Sequence, residues 1–126
     1  MDASFSSTSQ TPDNLIAGGK PPAKAVPIIL LSGENVVRGE ALGEITASGK
    51  FSASLAAATD GSQVVRAIAA EDKDATAGDK AMHAYVEGEF NQDQITLGAG
   101  HTVASIKQGL WDFNIYLVDP VTATPA

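Results

Sequence analysis

The chain has 126 residues, and although 44% are hydrophobic, alanine supplies much of that share, so the composition allows one domain with a modest core. A formal net charge of −7 argues against nucleic acid and anionic membrane surfaces as partners, because both would repel an acidic body. The absence of cysteine excludes disulfides, thiolate nucleophiles and cysteine-ligated zinc, and no apolar run approaches the roughly 18 residues that span a bilayer.

Residues 1–25 are rich in Ser, Thr, Pro, Gly and Ala, with Phe5, Leu15 and Ile16 as the sizeable apolar side chains. Asp2 and Asp13 balance Lys20 and Lys24, so the acidity belongs to the rest of the chain. Such a segment cannot offset the entropy lost on ordering, and Gly18-Gly19 and Pro21-Pro22 block regular structure, so a disordered N-terminal arm is expected. It reads either as a dispensable tail or as an arm that orders on a partner, with Phe5 or Leu15-Ile16 as anchors. The N-terminus lacks the basic start and apolar stretch of a signal peptide, so a soluble protein made in the cytoplasm is expected.

A compact domain is expected over residues 26–119. Val26 to Leu31 is too short for a helix and apolar enough for a strand covered on both faces, with Pro27 at its beginning or on an edge because it cannot donate a ladder hydrogen bond. Glu34-Asn35 reads as a turn, Val36–Arg38 as a short strand and Ala41–Ser48 as another. Phe51–Ala57 suits helix or loop. Asp60-Gly61 is a turn signal, and Val64–Ala70 is a small-apolar strand interrupted by Arg66. From Ala81 the residues alternate: Met82, Ala84, Val86, Gly88 and Phe90 share one face, with His83, Tyr85, Glu87 and Glu89 on the other, so this strand is buried on one side. Gln94–Leu97 reads as a short strand.

One helix is predicted, with Thr102 as its N-cap and Val103, Ile106, Leu110 and Phe113 along one face. Gly109 weakens it by about 1 kcal/mol relative to Ala, so packing must hold it. Asn114 is a left-handed terminator, Ile115–Val118 returns as a strand, and residues 120–126 form a tail.

Little in this pattern is reactive. His83 and His101 lack the spacing of a metal pair. Glu87 and Glu89 share a strand face but read as a solvated edge that discourages aggregation. The acidic loop Glu71–Asp79 lacks the ligand order and closing Glu of an EF-hand. Gly98-Ala99-Gly100 lacks the Lys of a P-loop and reads as a tight turn. No nucleophile–base pairing is visible. No catalytic, metal or cofactor site is expected, and the chain reads as a non-enzyme.

The order of features carries a resemblance. The apolar strand after KPPAKA, the turn ATDGSQ, the run VVRAIAAEDKDAT, YVEGEFN and the closing HTVASIKQGLWDFNIYLV resemble the head decoration protein D family of tailed bacteriophages, over about residues 20–118. The resemblance implies a mainly β fold, a β-clip-like small incomplete barrel with one short C-terminal helix. It also implies a homotrimer on the outside of an expanded icosahedral head, made in the host cytoplasm and reinforcing the shell against packed DNA. The arm, with Phe5, Leu15, Ile16, Lys20, Pro21 and Pro22, would pair by β-augmentation with an exposed strand edge of the major capsid protein. Pro27, Ile29 and Leu31, on the alternate face of the first strand, and Trp111, off the helix's apolar stripe, are the candidate trimer or capsid contacts; for Trp111 plain core packing is the competing reading. Two other functions fit the same fold class: a trimeric β-clip enzyme of dUTPase type, and a virion surface adhesion module.

Overall fold

The computed structural model describes residues 15–16 and 23–119. The candidate arm residues Phe5, Lys20, Pro21 and Pro22 and the tail lie outside the described residues. Among the described residues eight strands, one helix and one 3-10 turn follow in order: β1 (Lys24–Leu30), β2 (Asn35–Val36), β3 (Ala41–Glu44), β4 (Phe51–Ala53), β5 (Val65–Ala69), β6 (Lys73–Asp74), β7 (Lys80–Asn91), the 3-10 turn (Gln92–Gln94), α1 (Val103–Trp111) and β8 (Ile115–Val118). The fold is mainly β with one short helix, as expected.

Five strands close into a small barrel in the order β1-β4-β3-β5-β7, and β7 returns to β1. All neighbours are antiparallel except β1 and β4, which meet in parallel at Leu30 and Phe51. A ring of five leaves little interior space, and this explains the alanine-rich sequence. Each barrel strand contributes inward: Leu30 from β1, Leu42 from β3, Phe51 from β4, Ala67 and Ala69 from β5, Met82 and Ala84 from β7.

A second core lies outside the barrel wall. There Ala41, Val65, Ile68 and Phe90 meet Ile106 and Leu110 of α1 and Ile115 and Leu117 of β8. β5 is therefore buried on both faces, with only Arg66 exposed among its five residues. β7 is long enough to serve both layers: its first half pairs with β1, and Gly88–Asn91 pair in parallel with β8. At the change of partner, Gly88 has φ 140°, and a Cβ there would sit 2.9 Å from the Ala23 Cα, so glycine is required.

The alternation from Met82 to Phe90 holds, with Met82, Ala84, Gly88 and Phe90 buried. Thr102 caps α1 as expected: its hydroxyl accepts from the Ser105 N–H, and Ser105 Oγ accepts from the Thr102 N–H. Asn114 ends the helix with φ 62°.

Phe51–Ala57, expected as helix or loop, begins with strand β4, and four further local expectations need correction. β1 is not covered on both faces: Ala25, Pro27 and Ile29 are exposed, because α1 and β8 pack against β5 and β7 and not over β1. Gln94–Leu97 is not a strand. The Asn91 side chain accepts from the Asp93 N–H and starts the 3-10 turn, leaving one bridge, Glu40 to Thr96. The first turn falls at Ser32-Gly33, and Asn35 opens β2, because the Gly33 and Ala75 N–H groups donate to the Ala75 and Glu34 carbonyls.

The fourth correction concerns the arm. Leu15 is 2% exposed and belongs to the second core with Phe90, Ile115 and Leu117. Its side chain is taken up by the body, in the space between β7, β8 and α1, and does not project to solvent.

Candidate functional site

The turn ATDGSQ is folded against the barrel. Asp60 accepts from both the Ser62 N–H (3.0 Å) and the Ser62 hydroxyl (2.6 Å), and these bonds hold its carboxyl below the usual range. A Cβ on Gly43 would run into the Ser62 carbonyl, so strand and turn approach as closely as backbone allows. Gly98 packs in the same way against the Ser54 carbonyl. These glycines permit the close approach of backbone to backbone.

This packing brings together one pair that the sequence did not suggest. Ser54 Oγ lies 3.0 Å from His101 Nε2 and 2.6 Å from the Ser62 carbonyl oxygen. The carbonyl can only accept, so the hydroxyl proton points to it, and the imidazole must donate through Nε2–H. A histidine that donates to the serine cannot act as its base. Ser54 is also completely buried. The geometry is that of a structural tie between the turns around Ser62 and His101, unlike an activated nucleophile.

The carboxylates of the acidic loop are likewise engaged in structure. The Glu71 carboxylate accepts from the His83 N–H at 2.7 Å, Asp72 from the Arg38 N–H at 2.8 Å, and Asp74 from the Thr76 N–H and hydroxyl. Asp79 accepts from the Ser32 N–H at 2.8 Å and pairs with Lys50 at 2.7 Å. Among the described residues, no group of three or more His, Asp or Glu side chains is placed to hold a metal ion.

These bonds set an acid response. Hydrogen bonds from Ser62 lower the pKa of Asp60, the His83 N–H lowers Glu71, Thr76 lowers Asp74, and Lys50 with the Ser32 N–H lowers Asp79. A depressed folded-state pKa contributes stability above the unfolded value, near 4, and that contribution is lost as pH falls through the folded value. Glu40 runs the other way: burial raises its pKa, so its contribution is lost as pH rises. With four groups against one, the urea midpoint is expected to fall as pH drops from about 5 to about 2. A midpoint unchanged over that interval would contradict these assignments.

What remains for function is surface. On the outer face of the β1–β7 ribbon, Ala25, Pro27 and Ile29 stand exposed beside Ala81 and His83, and Ile29 is 42% exposed. From Lys24 to Ile29 the outer edge of β1 has no strand partner among the described residues. Leu31, just past β1, is half-buried. Trp111 does not join the core: it is 48% exposed on the outward side of α1, in line with Lys107 and Ala104. Ile16 is exposed where it bridges to Phe90.

Sequence reasoning missed Leu55, Val64 and Val37, all exposed apolar side chains in or beside turns. Val64 borders a depression of about 170 Å³ lined also by Gln63, His101, Ser105, Ile106 and Gly109. The only hint in the sequence is that Val64 opens an apolar run just after a turn.

The structure thus separates two exposed apolar surfaces. One is the β1–β7 ribbon around Pro27 and Ile29. The other is the side of the molecule where α1, carrying Trp111, packs on β5 and β8. The family model described as bacteriophage lambda head decoration protein D matches residues 4–112. No curated protein matches the chain.

Proposed function

The chain belongs to the bacteriophage lambda head decoration protein D family, and from that premise we propose that it binds as homotrimers to the outside of the expanded icosahedral head and stabilises it against packed DNA. The family is one of structural phage head proteins, and the match over residues 4–112 is the observation that carries the reading. The surface supports it. A closed three-fold ring is built from heterologous contacts, so each copy must present two different patches. The Pro27–Ile29 ribbon and the Trp111 side of α1 are two such apolar patches on separate elements.

In this reading the N-terminal segment, with Phe5 as its aromatic, pairs with a strand edge of the major capsid protein. If that edge is formed only when the shell expands, binding becomes stage-selective without any switch in the decoration protein itself. No geometric feature among the described residues favours the dUTPase-type or adhesion reading.

Co-sedimentation with expanded and unexpanded shells tests the proposal. Saturable binding to expanded shells alone is expected, and equal binding to both would contradict stage selectivity. Trp111→Ala probes the trimer separately. As a surface change it is expected to alter monomer stability by no more than about 0.5 kcal/mol. A buried aromatic at an interface can carry about 2 kcal/mol or more, so light scattering should show the trimer dissociating at higher concentration. An unchanged trimer would remove Trp111 from the interface.

A further inference from the structure

Leu15 and Ile16 are the two large aliphatic side chains in a segment that, apart from Met1 and Phe5, is otherwise made of small and polar residues, and the fold uses them together. The Asn91 N–H donates to the Leu15 carbonyl at 2.7 Å, and Ile16 forms an antiparallel bridge with Phe90. At these residues β7 already pairs with β8 on one edge, so Leu15-Ile16 occupies the other edge. The Leu15 side chain fills the second core and reaches as far as Gly39 in the turn before β3.

We propose that Leu15 and Ile16 form a clasp that pins the N-terminal chain to the end of β7, so that the segment engaging the shell ends at Asn14 and leaves from a fixed point. The idea rests on the functional reading above and deepens it by making Leu15 a positioning residue, not a contact residue. Two physical effects follow. The clasp shortens the tether: without it the chain would be held first at β1, and the tether would grow from 14 residues to about 23. Effective concentration falls roughly as the −3/2 power of tether length, so this change alone is worth about twofold in shell affinity. The clasp also fixes the exit position, on the edge of β7 opposite β8, which reduces the ordering cost of binding.

The test uses the full chain, Leu15→Ala, the volume-conserving Leu15→Met, and versions of the full chain and Leu15→Ala lacking residues 1–14. Amide exchange at Asn91 reads the clasp directly. Asn91 is expected to be protected in the full chain and in Leu15→Met, and to exchange at least about tenfold faster in Leu15→Ala, with the amide of Ala67 in the barrel little changed. Affinity for expanded shells is expected to fall about twofold or more in Leu15→Ala and to be restored in Leu15→Met. In the truncated background, Leu15→Ala should add no further loss.

An Asn91 exchange rate indifferent to Leu15→Ala overturns the clasp. So does an equal affinity loss with and without residues 1–14, which would make Leu15 a core residue with no bearing on the arm. If the unmodified chain does not bind shells at all, the functional reading falls, while Asn91 exchange still decides the clasp.

Discussion

Phe90→Ala is expected to cost about 3–5 kcal/mol of folding stability, the range for deleting a fully buried aromatic side chain. Phe90 is completely buried where four parts of the chain meet. It lies on the second half of β7, faces Leu117 in the register with β8, bridges to Ile16, and packs its ring 5.3 Å from that of Tyr85. Tyr85 in turn accepts a hydrogen bond from Arg38 at 2.9 Å and lies under its guanidinium. Removing the ring therefore opens a cavity that backbone pairing on both edges of β7 prevents from collapsing. Urea unfolding of the purified variant measures the loss. A cost below about 1 kcal/mol would mean that the second core is not closed as described.

Deleting residues 1–14 is expected to leave the unfolding midpoint unchanged and to lower affinity for expanded shells by roughly 100-fold or more, the scale on which a second linked contact acts. The cut must stop before Leu15. A deletion through Lys24 would also remove a core side chain, the carbonyl that receives the Asn91 N–H and the first residue of β1. Loss of binding would then be indistinguishable from loss of structure. A truncated chain that binds shells as tightly as the full one would reduce the N-terminal segment to a tail.

Several elements could be read directly from the sequence. β7 announces itself by a period of two, because Met82 and Ala84 point into the barrel while Ala81 and His83 are exposed. Thr102 and Asn114 bound α1 because a cap is a local contract between a side chain and backbone a few residues away. Other features were hidden because they depend on distant chain. The apolar run of β1 does not reveal what packs over it, and its outer face is open because α1 and β8 lie against β5 and β7. Gly43 and Gly98 look like flexible or turn glycines until Ser62 and Ser54 are seen packed against them.

The surface was partly legible. Pro27 and Ile29 emerged from simple alternation along β1, whereas Trp111 could be weighed either way until α1 was placed with its buried face on Ile106 and Leu110. The burial of Leu15 is hidden from the sequence for a physical reason. Its neighbours Gly18, Gly19, Pro21 and Pro22 argue against regular structure, yet a single side chain can be pinned by one bridge. The features that most identify the family, the ATDGSQ turn and the strands around it, build the barrel wall, while the proposed contacts lie on β1, α1 and the N-terminal segment.

The most direct measurement is electron cryo-microscopy of expanded shells saturated with the purified chain. Added trimeric density on the outer surface at the three-fold and quasi-three-fold positions, with each copy's N-terminal segment running along a strand of the capsid protein, is the expected result. Shells that gain no ordered density, or that carry isolated monomers away from those axes, would contradict it.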